Sequence, residues 1–142
     1  VIDTIKAINK SGYLAIVVTN QPVIARGEVS FQELEEIHNK METLLGQQGV
    51  YVDAIYYCPH HPHKGYAGEI PELKFDCDCR KPKTKMGLQA IAKYDLDPSK
   101  CWMIGDHDKD MEFGRQLGMR TVKVSSEVSF SDAVEKILSM TE

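Results

Sequence analysis

The sequence predicts an α/β fold in which a parallel sheet is doubly wound by helices. Two observations carry that prediction. Short apolar, partly β-branched runs alternate with stretches whose apolar residues recur three and four apart, the pattern of βαβ units. Polar and charged residues follow the carboxyl end of one run after another, at Thr19-Asn20, at Cys58 to Lys81 and at Asp106 to Asp110, and open α/β sheets bind their ligands at that edge.

Val1 to Lys10 spaces Ile2, Ile5 and Ile8 as an amphipathic helix stopped by Gly12. Tyr13 to Val18 reads as a strand buried on both faces, ending in Thr19-Asn20-Gln21-Pro22. Ser30 with Glu33 forms a capping box for a helix running to about Gly46, and Val52 to Tyr57 is the next strand. A helix over Lys85 to Tyr94, a turn at Asp97-Pro98-Ser99 and a strand over Cys101 to Ile104 follow, with Cys101 read as a core residue. A helix then runs through Leu117 to Gly118, Arg120 to Val124 forms a strand, and a last helix is capped by Ser131 or Asp132.

With 142 residues, 42% hydrophobic and 27% charged, the chain suits a single domain over 1–142 with one core. A net charge of -4 argues against a general nucleic-acid binder. No apolar run approaches the roughly 20 residues that cross a bilayer. The expectation is a cytoplasmic protein without a leader, with a small molecule as partner and neither nucleic acid nor membrane.

The loop over about 58–80 carries Cys58-Pro59-His60 and Cys77-Asp78-Cys79. Two close pairs of thiolate and imidazole donors suit a tetrahedral zinc ion, held by Cys58, His60, Cys77 and Cys79, whereas disulfides are the plainer alternative. His61 and His63 compete with His60 for the same role. Four protein ligands leave no open position, so such a zinc is structural, and it would fix the backbone beneath Arg80 and Lys81.

Each remaining signal has an ordinary reading on its own. Thr19 and Asn20 are turn residues, and Asp106 to Asp110 is an acidic helix start favoured by the helix dipole. Together they form a set: a hydroxyl and an amide to hydrogen-bond phosphate oxygens, a lysine to neutralise them, and aspartates to hold Mg²⁺. That set suits phosphoryl transfer.

Val17-Val18-Thr19-Asn20, Lys81, and Ile104-Gly105-Asp106 with Asp110 resemble the second, third and fourth motifs of the haloacid dehalogenase-like phosphohydrolases. The cysteine loop, with Asn20 to Gly27, is similar to the zinc-loop branch of that family, which acts on heptose bisphosphate and on histidinol phosphate. The resemblance implies substrate contacts from Thr19, Asn20, Gln21, Pro22, Arg80 and Lys81, a catalytic role for Thr19 and Lys81, Mg²⁺ on Asp106 with Asp110 behind it, and Zn²⁺ in the loop. It implies Mg²⁺-dependent hydrolysis of a sugar bisphosphate at the 7-phosphate of a heptose. Histidinol phosphate is the alternative substrate, and an inactive zinc-stabilised phosphate-binding module is the alternative from another class. The family's nucleophile, an aspartate in an Asp-x-Asp motif ending a first, central strand, has no counterpart here. Asp3 lies on the opening helix, Asp76-x-Asp78 among the zinc ligands and Asp106-x-Asp108 in the fourth motif. The expectation is therefore an amino-terminally incomplete domain, missing the strand between those that end at Thr19 and Asp106, with its upstream segment or a fused enzyme as a further partner.

Overall fold

The computed structural model of the chain describes residues 2–20, 30–58 and 80–140. Helix α1 (Ile2–Ser11) carries Asp3 in its first turn and Lys10 in its last, which suits the helix dipole, and Gly12 turns the chain away at φ 88°. Asn9 ties it to the segment before the second strand by donating to Tyr51 O at 3.0 Å and accepting from Tyr51 N at 3.1 Å.

Strand β1 is Ile16–Asn20, later than the expected Tyr13 to Val18. A strand exists where it finds a partner, and this one finds it at residue 15. There Ala15 N donates to the Asp53 carboxylate and Asp53 N to Ala15 O, each at 2.7 Å. Tyr13 and Leu14 line an apolar cleft instead.

Helix α2 (Phe31–Gln47) opens on the expected capping box, with Ser30 Oγ accepting from Glu33 N at 3.0 Å and the Glu33 carboxylate accepting from Ser30 N at 3.4 Å. Strand β2 (Ala54–Cys58) follows, starting later than Val52. Helix α3 (Lys85–Tyr94) ends at Asp95, a non-glycine residue at φ 51°. A short 3₁₀ turn (Pro98–Lys100) is capped by the Asp97 carboxylate, which accepts from Ser99 N at 3.0 Å. Cys101 is half-buried ahead of β3 (Trp102–Gly105) rather than in the core.

Helix α4 (Asp108–Gln116) gives way at Gly118, φ 81°, to β4 (Arg120–Lys123). Helix α5 (Phe130–Ser139) is capped by Ser129, not by Ser131 or Asp132. Ser129 Oγ accepts from Asp132 N at 3.0 Å and the Asp132 carboxylate accepts from Ser129 N at 3.2 Å, so Asp132 is the third residue of a capping box that the sequence reading placed too late.

Among the described residues the strands form two parallel pairs, β1–β2 and β3–β4, rather than one continuous sheet. The split falls between the strands ending at Asn20 and at Gly105, where the sequence placed an absent central strand. An apolar cavity of about 190 Å³ lies there, with Ile16 and Val18 of β1 facing Trp102 and Ile104 of β3.

Helix α4 packs closely on β3–β4. A Cβ at Gly114 would meet Met103 Cβ at 2.7 Å and Thr121 Cγ2 at 2.8 Å, so only glycine lets α4 lie this near the strands. Phe113, next to Gly114 in α4, is buried, whereas Met86 is buried with Cys58, Val18 and Tyr56 on the β1–β2 side. Helices α1 and α5 pack on each other.

Candidate phosphoryl-transfer site

The carboxyl ends of β1 and β3 converge on one ammonium group. Lys81 Nζ donates to Val18 O at 3.0 Å and to Asp110 Oδ1 at 2.7 Å, with little exposure at either end of the ion pair. In a parallel ladder alternate residues point their backbone groups to opposite sides, and Ala15 O faces β2, so Val18 O faces the cleft. Lys81 thus reaches across the split.

Asp110 is held on both oxygens. Its Oδ2 accepts from His107 N at 3.2 Å, which satisfies a backbone donor at the start of α4. Gly105 makes room for this: a Cβ there would collide with the Asp110 carboxyl, meeting Cγ at 2.6 Å. The glycine of the Gly105-Asp106 pair is therefore required by sterics.

Asp106 stands exposed at the same edge, with Oδ1 2.7 Å from His107 Nδ1. That hydrogen bond is the main reason its carboxyl lies below the usual range, with the positive fields of His107 and Lys81 adding to it. Donor atoms of Asp106, His107 and Asp110 lie within 4.8 Å of one another. Carboxylate oxygens are hard donors that fit Mg²⁺, and Asp106 is the one of the two aspartates open to solvent.

Arg80 Nη1 is buried and, among the described residues, has no hydrogen-bond partner. A buried guanidinium nitrogen left unpaired is costly, and an anion would satisfy it. Thr19 is half-buried in β1 opposite Tyr57, and Asn20 pairs in register with Cys58. These positions bring Thr19, Asn20, Arg80, Lys81, Asp106 and Asp110 to one edge. Gln21 and Pro22 lie outside the described residues, as do His60, His61, His63, Cys77 and Cys79.

Cys58 is fully buried at the end of β2, packed with Met86, and is disulfide-bonded, its partner lying outside the described residues. The disulfide was the plainer of the two sequence readings.

The sequence reading passed over two residues. Lys123 ends β4 at the same edge and donates to Asp108 Oδ1 at 2.7 Å, and that bond, with the charge of Lys123, depresses the Asp108 carboxyl. The rule that singled out Thr19 and Asp106 as polar residues ending a strand applies equally to Lys123. His107 was read only as part of an acidic run.

Residues 78–140 match the family model described as HAD-hydrolase-like, and the fold is of that haloacid dehalogenase type. Among curated proteins the chain is 44% identical over 115 residues to the D-glycero-beta-D-manno-heptose-1,7-bisphosphate 7-phosphatase of Haemophilus influenzae, covering 80% of this chain and 59% of that protein. It is 39% identical over 112 residues to the phosphatase of the same name from Escherichia coli K12, covering 79% of this chain and 56% of that one. A solved structure of the D,D-heptose 1,7-bisphosphate phosphatase from B. bronchiseptica, complexed with magnesium and phosphate, superposes with TM-score 0.80 at 26% identity, over 97% of this chain and 81% of the other. The chain thus spans less than two thirds of the length of the curated relatives it matches. No helix among the described residues is long and apolar enough to cross a membrane.

Proposed function

We propose that this chain is the larger part of a phosphatase domain that removes the 7-phosphate of D-glycero-D-manno-heptose 1,7-bisphosphate. The observation that carries the reading is the Lys81 ammonium, fixed by Val18 O and Asp110 at the meeting point of two strand ends, with Asp106 exposed beside it. A lysine held on two sides presents its charge to a phosphoryl group without reorganising, which is how preorganised electrostatic catalysis works.

In this reading Lys81 and the Thr19 hydroxyl meet the transferred phosphoryl oxygens. Arg80 turns its unpaired nitrogen to the substrate's other phosphate or hydroxyls, with Asn20, Gln21 and Pro22 completing the pocket. Asp106 would hold Mg²⁺, which supplies charge neutralisation on the phosphoryl group when bound. The nucleophilic aspartate, which takes the phosphoryl group as an acyl phosphate before water releases it, belongs to residues outside these 142.

A structural zinc on Cys58, His60, Cys77 and Cys79 would fix the loop that carries Arg80. The expected result is about one zinc per reduced chain purified without chelator, lost in Cys77→Ser. A chain with no zinc and two fewer free thiols than its cysteine count would leave the disulfide as the answer.

The proposed activity is tested in a polypeptide that includes the nucleophile. Arg80→Ala should mainly raise KM and Lys81→Ala mainly lower kcat. Identical kinetic profiles would refute this division of roles. Faster turnover of histidinol phosphate than of heptose bisphosphate would reassign the substrate, and turnover of neither would leave a phosphate-binding module.

A further inference from the structure

We propose that His107 is a positioning residue for the metal ion: its ring grips one oxygen of the Asp106 carboxylate, so that the cation is met by the other. One residue holds both aspartates of this edge. The backbone N–H of His107 donates to Asp110 Oδ2 at 3.2 Å, and its ring Nδ1 lies 2.7 Å from Asp106 Oδ1. An ionised carboxylate only accepts, so in the neutral ring Nδ1 carries the proton and donates it. A nitrogen that carries a proton has no lone pair for a metal. Nδ1 therefore acts through Asp106 rather than on the ion.

The ring is exposed, but it springs from a fixed point. His107 O accepts from Asp110 N at 3.0 Å and from Met111 N at 3.4 Å, so both polar groups of its backbone are tied into the first turn of α4. Packing does little to aim Asp106, whose side chain is 66% exposed. Among the described residues, the side chain that holds it is His107. A carboxylate left to turn freely must be ordered when a cation arrives, and that ordering costs entropy. Asp110 has both oxygens engaged, one by Lys81 Nζ and one by His107 N, whereas Asp106 has Oδ1 engaged and presents Oδ2. Mg²⁺ demands near-octahedral geometry, so the aim of that oxygen matters. Partners that orient a metal-binding group in this way are worth about 10–100-fold in metal affinity.

The inference rests on the reading of Asp106 as the metal residue, and the test separates the two. Mn²⁺, which shares the octahedral oxygen sites of Mg²⁺, is titrated into the polypeptide that includes the nucleophile and followed by electron paramagnetic resonance, without turnover. Asp106→Asn should abolish tight binding. His107→Ala should raise the Kd for Mn²⁺ by about tenfold. His107→Asn brings an N–H close to the place of Nδ1 and should recover most of the affinity, whereas His107→Ser should not. Both Asn and Ser cap helices well, so a role confined to the start of α4 would be rescued by either. An unchanged Kd in His107→Ala, or equal recovery by His107→Ser and His107→Asn, would overturn the role of His107 and leave Asp106 on the metal. An unchanged Kd in Asp106→Asn would move the ion elsewhere and overturn both.

Discussion

The two halves of the molecule are built to different standards. Around β3–β4, helix α4 lies against both strands through Gly114, and Phe113 is 1% exposed. Around β1–β2, α2 buries Leu34 and Leu45 but leaves Ile37 55% and Leu44 52% exposed. The family model matches residues 78–140, which include the first half. The second half carries Thr19 and Asn20 and the ends of both undescribed internal segments. Lys81 touches both halves.

The largest effect should come from emptying the close-packed half. Phe113→Ala is expected to cost about 3–5 kcal/mol, a large part of the ~5–15 kcal/mol that holds a domain together. Leu34→Ala should cost less, about 2–3 kcal/mol, because α2 has room to relax. Urea unfolding of both variants decides this, and a greater loss from Leu34→Ala would break the comparison.

Gly105→Ala comes next. Its methyl would collide with the Asp110 carboxyl, so we expect a loss of about 1–3 kcal/mol and, in a polypeptide with the nucleophile, a fall in kcat with KM little changed. Unchanged turnover would mean that Lys81 does not depend on Asp110. Ser129→Ala removes one half of a capping box and should cost about 1 kcal/mol, seen as a lower thermal midpoint. Leu44→Ala, on the exposed face of α2, should fall within about 0.5 kcal/mol of the parent.

The smallest effect is a dependence on pH. The Ser99 hydroxyl and amide hold the Asp97 carboxyl below its ordinary value, so its contribution is complete above about pH 4 and is lost as the pH falls through the lowered folded value. Stability curves of the parent and Asp97→Ala should therefore run apart above pH 4 and approach each other in acid. Curves that separate further in acid would reverse the sign and discard the assignment.

Local signals in the sequence fared better than those that depend on partners. The capping box at Ser30, the stop at Gly12 and the helix over Lys85 to Tyr94 follow from residues a few positions apart, and they form as expected. The start of β1 was misjudged because Tyr13 and Leu14 have strand-like side chains but no ladder, and hydrophobicity alone does not reveal where a partner begins. The cap at Ser129 was placed too late because Asp132 was taken for a cap when it is the residue that answers one. Within the site, residue types pointed to Lys81 and Asp106. The bond from Lys81 to Val18 O was not legible, since a backbone carbonyl leaves no mark in the sequence.

Asp110 does two jobs with one carboxylate, closing the first turn of α4 and gripping Lys81. The distance in sequence between Gly105 and Asp110 therefore acts as a ruler. One residue inserted into the Gly105 to Asp108 turn could leave the helix intact as a helix, yet each added position turns its face by about 100° and advances it about 1.5 Å. The helix could keep its own start or keep the lysine, but not both. Length changes in this turn should thus be far less tolerated than substitutions at Lys109, which is exposed and meets neither requirement.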